Sequence, residues 1–235
     1  MWFLLTLSDL ALIALGFIIA AQSNWLWPVS ILIIGIGQHR LALMAHDASH
    51  GHAPRIVSRG TFALLMVGLD GYQRHHSVHH HFVGMPGDSE RRVTEPLHHE
   101  WYRSRWVRLK RYFFTDSLGF GAINIWRLLK EFWRRASVFD ALVVALVWSS
   151  IIAATIVLHS LWGLWLWVSA ITSVFWAVFR QRMLTEHVGC VVSHPTRTYH
   201  ASWWEKILYL PHNTDLHKEH HNNPGIPCWK LARVI

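Results

Sequence analysis

Residues 25–50, WLWPVSILIIGIGQHRLALMAHDASH, decide the fold because a long apolar run passes directly into a pair of histidines. Residues 25–45 are apolar enough, and numerous enough, to form a helix that crosses a hydrocarbon core of roughly 30 Å. His46 and His50 follow at once, one helical turn apart and therefore on one face of a helix. The stretch predicts a transmembrane helix that presents imidazoles at its end.

Three further apolar runs have a similar length and lie at residues 2–22, 141–158 and 161–179. The whole chain is 52% hydrophobic and contains 15 Trp among 235 residues, which is too apolar for an ordinary soluble domain. We therefore predict an all-α, multipass membrane protein with four transmembrane helices. A shorter apolar run at 61–69 cannot cross a bilayer and is expected to be a re-entrant or interfacial piece.

The run at residues 2–22 has a second interpretation, a cleaved secretory signal. No basic residue precedes the run, Asp9 lies inside it, and another apolar run follows directly. These features are unlike those of a signal peptide and favour a retained helix.

The basic residues predict the orientation in the membrane. Of the 22 Lys and Arg, fourteen lie between Arg55 and Arg135 and seven between Arg180 and Arg233, whereas the connections at 23–24 and 159–160 have none. By the positive-inside rule both basic segments, and with them both termini, are expected in the cytosol. The net charge of +8 is better explained by anionic lipid headgroups than by nucleic acid, because no nucleic-acid-binding fold is recognisable.

The remaining residues, about 46–140 and 180–235, are expected to form a cytosolic helical cap, so that residues 1–235 make one domain. Within the cap, 83–92 contains two glycines and a proline and is predicted to be a loop. Residues 100–110 and 126–135 are rich in aromatic and basic side chains, which predicts helices either at the membrane surface or simply covering the cap. A short helix is expected at 202–210.

Three histidine clusters lie in the predicted cap: HDASH at 46–50, HSVHH at 76–80 and HKEHH at 217–221. Each repeats a spacing of three or four residues, which aligns the imidazoles on a helix. Imidazole suits iron, copper, zinc and nickel, whereas magnesium and calcium prefer oxygen. Eight histidines exceed the needs of one tetrahedral ion, so the sequence predicts a site for two metals.

These clusters and the residues around them resemble the integral-membrane fatty-acid desaturase and hydroxylase superfamily. The similarity is carried by LMAHDASHGH at 43–52, by YQRHHSVHHHF at 72–82, and by ASWWEKILYLPHNTDLHKEHHNNPGIPCWKL at 201–231. The resemblance implies two iron ions as cofactors and dioxygen as co-substrate. It also implies an attack on an unactivated C–H bond of a lipid.

Carried over residue by residue, the resemblance predicts nine metal ligands with a catalytic role through the metals. His187 is among them because it stands in a Glu-His pair after the last apolar run. Two departures from the family pattern, Met183 and Asp215, stand where some relatives have a polar residue and an asparagine, and they leave the second metal's ligand set open. The nine are His46, His50, His76, His79, His80, His187, His217, His220 and His221.

Several further residues are expected to support these ligands. Asp47, Asp215 and Glu219 are predicted to accept the second ring N–H of ligating histidines, and Glu186 is predicted to do the same or to bind metal directly. For each acid the alternative is a solvated surface charge. His39 lies seven residues before His46 on the same helical face and either extends the site or supports it.

The sequence therefore predicts an oxidoreductase that uses dioxygen and two electrons to desaturate or hydroxylate a lipid, with a fatty-acyl chain entering from the bilayer as the favoured substrate. No flavin, dinucleotide or haem motif is present, which implies an external electron donor of the ferredoxin or cytochrome type. One alternative is a carotenoid ketolase or hydroxylase of the same superfamily. Another is a non-redox membrane protein that binds or transports metal, although such a path should place ligands near the bilayer midplane.

Overall fold

A computed structural model of the protein describes residues 1–91, 103–117, 120–190 and 194–235. Within these residues the regular elements are helices. In chain order they are α1 (Trp2–Gln22), α2 (Asn24–His52), α3 (Arg55–Leu64), α4 (Leu69–Phe82), α5 (Arg105–Ser117), α6 (Phe120–Trp133), α7 (Val138–Val157), α8 (Leu161–Glu186), α9 (Trp203–Leu208) and α10 (His217–Asn222), before a final 3-10 turn at Cys228–Arg233.

Helices α1, α2, α7 and α8 are long and apolar enough to cross a membrane, which confirms the four predicted spans. Short connections join them into two hairpins, α1 with α2 and α7 with α8. Close backbone approach builds the first hairpin: a Cβ on Gly16 would lie 2.6 Å from Ile34 Cγ1, and one on Gly37 would lie 2.6 Å from Ile13 Cγ1. Small residues of this kind let membrane helices pack tightly. Helix α2 is the innermost span, with 56% of its apolar window buried against 11% for α7.

Two spans are longer than the apolar pattern predicts. Helix α2 continues past residue 45 through a π-helical turn at Ala48–His52, and α8 continues past residue 179 to Glu186. Helix α8 also contains a π turn at Ile171–Phe175. The extension of α8 contains no helix-breaking residue. The extension of α2 contains one, Gly51, whose φ of +92° ends the regular helix there. Both extensions carry the helix beyond its apolar part.

Asp9, the acid inside the first apolar run, is completely buried and paired. Its carboxylate accepts a hydrogen bond from Arg40 Nε at 2.7 Å, and lies 2.8 Å from His212 Nε2. Ionisable residues within membrane segments usually pair with one another in this way. The contact also ties the segment before α10 to the first hairpin.

The region between the hairpins differs from the prediction at one place. The apolar run at 61–69 is not one element: α3 ends at Leu64, a turn with Met66 at φ +59° follows, and α4 begins at Leu69. Buried positions therefore occur in two helices rather than in one re-entrant piece. Residues 83–90 of the expected loop form turns without regular helix, residue 91 is helical, and residue 92 lies outside the described residues.

Helices α5 and α6 overlap the two predicted surface helices, although residues 100–102 lie outside the described part of the chain. Trp106, Phe114 and Trp126 are more than half exposed on them. Exposed aromatic rings on helices that also carry basic residues are typical of a membrane interface.

Helix α9 begins with a capping box, in which the side chains of Ser202 and Glu205 each accept a hydrogen bond from the other residue's backbone N–H. Such a box satisfies donors that the first turn of a helix leaves unpaired. Glu205 also accepts hydrogen bonds from the hydroxyls of Tyr199 and Tyr209. Helix α9 thus fixes the chain that leads into α10.

Candidate metal centre

All nine histidines predicted as metal ligands lie close together, in two groups. Within each group the ligand atoms lie within 4.8 Å of one another. We call these sets the five-histidine group and the four-histidine group. The first consists of His46, His50, His76, His80 and His220, and the second of His79, His187, His217 and His221. Their role as ligands stays a prediction.

The five-histidine group takes its members from three helices: two from α2, two from α4 and one from α10. His76 lies at its centre, with its Nε2 atom 2.8 Å from His46 Nε2 and 2.9 Å from His80 Nε2. The spacing of four residues on α2 and on α4 places each pair on one helical face. Helix geometry therefore assembles most of this group.

The four-histidine group uses a neighbouring position on α4 and the end of α8. His79 comes from α4, His187 stands directly after α8, and His217 and His221 come from α10. The Nε2 atoms of His187 and His217 are 2.8 Å apart. Helix α10 therefore serves both groups, because His220 of the same helix belongs to the five-histidine group.

Hydrogen-bond acceptors engage the second ring nitrogen of several members. His79 Nδ1 lies 2.8 Å from Asp88 Oδ1, and His187 Nδ1 lies 3.4 Å from the carbonyl oxygen of Pro195. Since both acceptors require an N–H, they fix the tautomer that leaves Nε2 available to a metal.

Two further acids lie beside ring nitrogens of the groups. Glu186 Oε1 is 3.5 Å from His217 Nδ1 and is paired with Arg182 at 2.9 Å. Glu90 Oε1 is 3.4 Å from His76 Nδ1. The expectation that Glu186 supports a ligand agrees with this geometry.

The residues present fit a first-row transition metal. Nε2 of His50, Nε2 of His220 and both ring nitrogens of His221 are buried without a hydrogen-bond partner among the described residues. Buried polar atoms ordinarily have a partner, so these nitrogens are placed as metal donors would be. Neutral imidazoles are the donors that such metals prefer.

Burial keeps most of these imidazoles neutral. It lowers the pKa of His80 and of His187 to about 3. For His79 burial also acts to lower the pKa, but the negative charges of Glu90 and Asp88 raise it overall. Because ligands must be deprotonated to bind metal, a largely neutral set is ready to do so at neutral pH.

Three predicted supporting acids have other partners in the structure. Asp47 accepts a hydrogen bond from the backbone N–H of Cys228 at 2.8 Å and lies 3.0 Å from His52 Nδ1. Asp215 pairs with Lys206 at 2.9 Å. Glu219 accepts a hydrogen bond from the hydroxyl of Thr198 at 2.7 Å. Each is close to a ligand in sequence, but the backbone directs its carboxylate toward a partner distant in the chain.

His39 lies outside both groups. It is fully buried, and its ring meets Phe175 edge-on with centroids 6.0 Å apart. Met183 is also fully buried and packs with apolar residues of α8 and α5. A side chain of this type offers the four-histidine group no oxygen or nitrogen donor.

A largely apolar cleft borders both groups. Its walls come from α2, the α3–α4 connection, α4, α6 and α8, including the π turn of α8. Its polar lining includes Glu90, Arg182 and five of the histidines, and its apolar lining is Ala42, Phe62, Leu65, Val67, Tyr72, Ile125, Leu128, Leu129, Phe132, Ile171, Phe175, Trp176 and Phe179. Apolar walls with a few convergent polar groups are typical of sites for small apolar ligands.

Asp88 and Glu90 are the residues at the site that the sequence reasoning did not single out. Both lie in the segment predicted only as a loop after the second cluster. The signal available in the sequence was the pair of acids in GDSE, residues 87–90, shortly after three clustered histidines. Arg182 was likewise missed, since the sequence showed it only as one of the basic residues between Arg180 and Arg233.

Comparison with known proteins gives a family match over most of the chain. The family model described as fatty acid desaturase matches residues 23–234. The sphingolipid delta(4)-desaturase/C4-monooxygenase of Homo sapiens is 25% identical over 259 aligned residues, covering 99% of this chain and 72% of its own length. The dihydrorhizobitoxine desaturase of Bradyrhizobium elkanii is 26% identical, covering 90% and 67%. The sphingolipid delta(4)-desaturase of Xenopus tropicalis is 23% identical, covering 93% and 68%.

Proposed function

The chain belongs to the fatty acid desaturase family, and from that premise we propose that it is a di-iron enzyme that desaturates or hydroxylates a lipid at an unactivated C–H bond. It is an integral-membrane oxidoreductase of the lipid desaturase and hydroxylase class, as the family and the four spans indicate. The iron ions, the nine ligands and the substrate are the parts that this proposal adds.

The observation that carries the proposal is the common border between the two histidine groups and one apolar cleft. His46 and His76 of the five-histidine group, and His79, His187 and His217 of the four-histidine group, all line it. A hydrocarbon chain in this cleft would therefore lie beside both groups. The nine imidazoles would hold two irons, which supply dioxygen activation and oxidising power toward a C–H bond.

The overall reaction balances with an external source of two electrons. Desaturation converts –CH2–CH2– with one O2, two electrons and two protons into –CH=CH– and two waters. Hydroxylation converts one C–H with the same reagents into C–OH and one water. Both outcomes need the same site, and the presentation of the second hydrogen decides between them.

The protein's own residues have three tasks in this reaction. Asp88, Glu186 and the carbonyl of Pro195 orient the imidazoles through their second ring nitrogens. The walls of the cleft bind the chain and exclude water. Arg182 lines the cleft close to the four-histidine group and is held by Glu186. Its guanidinium is placed to contact a polar part of the substrate.

The substrate that fits these walls is a fatty-acyl chain or a long-chain base. The cleft reaches the π turn of α8, a membrane-spanning helix, so a chain enters laterally from the bilayer. The names of two relatives, sphingolipid desaturases, are consistent with a lipid of this class.

Lipid and carotenoid profiles test this choice of substrate, in a host that expresses the protein and in one that expresses the His79→Ala variant. A new double bond or hydroxyl in an acyl lipid is expected, and oxidation of a carotenoid alone would contradict it.

A second opening gives access to the five-histidine group from the side of α4 that faces away from the cleft. Its lining includes Ser49, His50, Arg74 and Ser77, of which Arg74 and Ser77 are exposed. We assign it to an acidic electron donor, a ferredoxin or a cytochrome, because exposed basic side chains attract acidic proteins. Arg74→Gln should raise the KM for such a donor several-fold with little change in kcat, whereas Arg233→Gln, an exposed control, should not. Equal KM values for parent and Arg74→Gln would contradict this docking site.

The metal centre and both termini are assigned to the cytosol, on the distribution of basic residues. Green fluorescent protein fused to the carboxyl terminus should therefore fluoresce, and alkaline phosphatase inserted at residues 159–160 should be active. A dark fluorescent protein and an inactive phosphatase would show that the protein has the opposite orientation in the membrane.

The first experiment is elemental analysis of detergent-purified parent, His79→Ala and His220→Ala. We expect about two irons per chain in the parent and a loss in each variant, since each removes one donor from a different group. His81→Ala is the matched control, because His81 is exposed on the same helix and belongs to neither group. One metal or none in the parent, or unchanged iron in both variants, would remove the basis of the proposal.

A further inference from the structure

The two histidine groups differ in the number of donors they contain. One has five histidines and the other four. Met183 and its apolar neighbours occupy the buried end of α8. Glu186 of the same helix is held by Arg182 and lies beside the second ring nitrogen of His217, Nδ1. This arrangement leaves room for an additional donor to the four-histidine group from another element.

Glu90 lies beside the four-histidine group. It belongs to the segment after α4 and lines the cleft together with His79, His187 and His217. Its Oε2 atom is 3.9 Å from His79 Nε2. Since Asp88 engages His79 Nδ1, this Nε2 is the nitrogen that His79 offers to a metal.

The separation of 3.9 Å suits two donors of one ion. Metal–nitrogen and metal–oxygen bonds in proteins are roughly 2.0 to 2.2 Å long, so two donors of one ion lie no farther apart than about 4.3 Å. The other oxygen of Glu90 lies 3.4 Å from His76 Nδ1, on a member of the five-histidine group. One carboxylate is thus in contact with both groups.

We propose that the carboxylate of Glu90 is a fifth donor to the metal held by the four-histidine group, and that its second oxygen holds His76 in the tautomer that binds the other metal. The inference rests on the proposed metal centre. It gives each metal five protein donors and places one negative charge among neutral imidazoles. It also couples the two metals through a single side chain.

Cobalt(II) substitution tests the proposal independently of activity. Five-coordinate cobalt absorbs more weakly in the visible region than four-coordinate cobalt, so the absorption per ion reports the number of donors. The parent should bind two cobalt ions. Glu90→Ala should bind the second at least ten-fold more weakly and show stronger absorption per ion, and Glu90→Asp should restore part of the affinity.

Asp88→Asn is the matched control from the same segment. Asp88 contacts His79 through Nδ1 only, so its loss should weaken binding without changing the absorption per ion. If Glu90→Ala behaves like Asp88→Asn, Glu90 orients a histidine and the proposal is wrong. If Glu90→Ala fails to fold, the isosteric Glu90→Gln decides by both readouts: a ten-fold loss of affinity for the second cobalt with stronger absorption per ion supports the proposal, and unchanged absorption per ion overturns it. A parent that binds no cobalt overturns the metal centre itself.

Discussion

The two histidine groups are built by different means, although they lie side by side. Pairs spaced by four residues on α2 and α4 supply four of the five members of the first group. The four-histidine group has one member on α4, one beyond α8 and two on α10, and three of them lie beside Asp88, Glu186 or the Pro195 carbonyl. Helix spacing therefore determines the first group, whereas contacts from outside its helices determine the second.

The largest expected effect comes from breaking what the two groups share. Asp9→Ala leaves Arg40 and His212 without their buried partner and releases the segment before α10, which serves both groups. Removal of one member of a buried ion pair costs about 3 to 5 kcal/mol. We expect a lower unfolding temperature in detergent and loss of metal from both groups. Ser8→Ala, on the exposed side of the same helix, should change neither, and loss from one group alone would refute the common anchor.

The next effect separates the groups. Asp88→Asn removes the negative charge from the acceptor of His79 Nδ1–H and should lower the metal affinity of the four-histidine group by about 10-fold. Titration of metal-free protein with cobalt should show one weakened site and one unchanged site. Glu131→Gln, which alters a pair with Arg134 at the end of α6 and belongs to neither group, is the control. Two equally weakened sites would show that contacts from outside the helices matter to both groups.

A smaller perturbation addresses the five-histidine group. Gly51 has a φ of +92°, and a Cβ added there would have no neighbouring atom within 4 Å, so Gly51→Ala is opposed by backbone conformation alone. The cost for an L-residue there is about 1 to 2 kcal/mol. We expect weaker metal binding at the five-histidine group, next to His50. Gly60→Ala is the matched control, because a Cβ there also has no atom within 4 Å but Gly60 lies within the regular helix α3. This variant should not lower the stability. If Gly51→Ala and Gly60→Ala gave identical metal titration curves, the backbone conformation of Gly51 would not matter to the five-histidine group.

The smallest effect concerns the approach to α10 and depends on pH. Burial acts to raise the pKa of Glu205, but hydrogen bonds from Tyr209, Ser202 and Tyr199 lower it to about 2. A lowered pKa stabilises the folded state above the ordinary value of 4.5, and this stabilisation disappears as the pH falls from 4.5 to about 2. In metal-free protein, Glu205→Gln should have a lower unfolding temperature than the parent at pH 6. The difference between the two unfolding temperatures should disappear as the pH falls from 4.5 to about 2. A difference in unfolding temperature that stays constant down to pH 2 would contradict the stabilising role of the ionised Glu205.

Local patterns predicted the spans and the nine grouped histidines. An apolar run of membrane length and a repeat of three or four residues each determine helix and face without distant contacts. The end of α2 was misjudged because the apolar run stops at residue 45 before the helix does, whereas the helical pattern at 180–187 agrees with the end of α8 at Glu186. The roles of Asp88 and Glu90 were not predictable, since they depend on how the segment after α4 folds back. The partners of Asp47 and Asp215, Cys228 and Lys206, were not predictable for the same reason, because they lie elsewhere in the chain.

The position of α10 in the chain has a consequence for biosynthesis. A ribosome makes both hairpins before it reaches residues 217–221, so the membrane segments emerge first. At that stage four of the five donors of one group already exist, His46, His50, His76 and His80, but only His79 and His187 of the other. A nascent chain that takes up the proposed irons would therefore meet them with one centre nearly complete and one half made. The order of translation favours sequential loading, with the four-histidine group as the last to be filled.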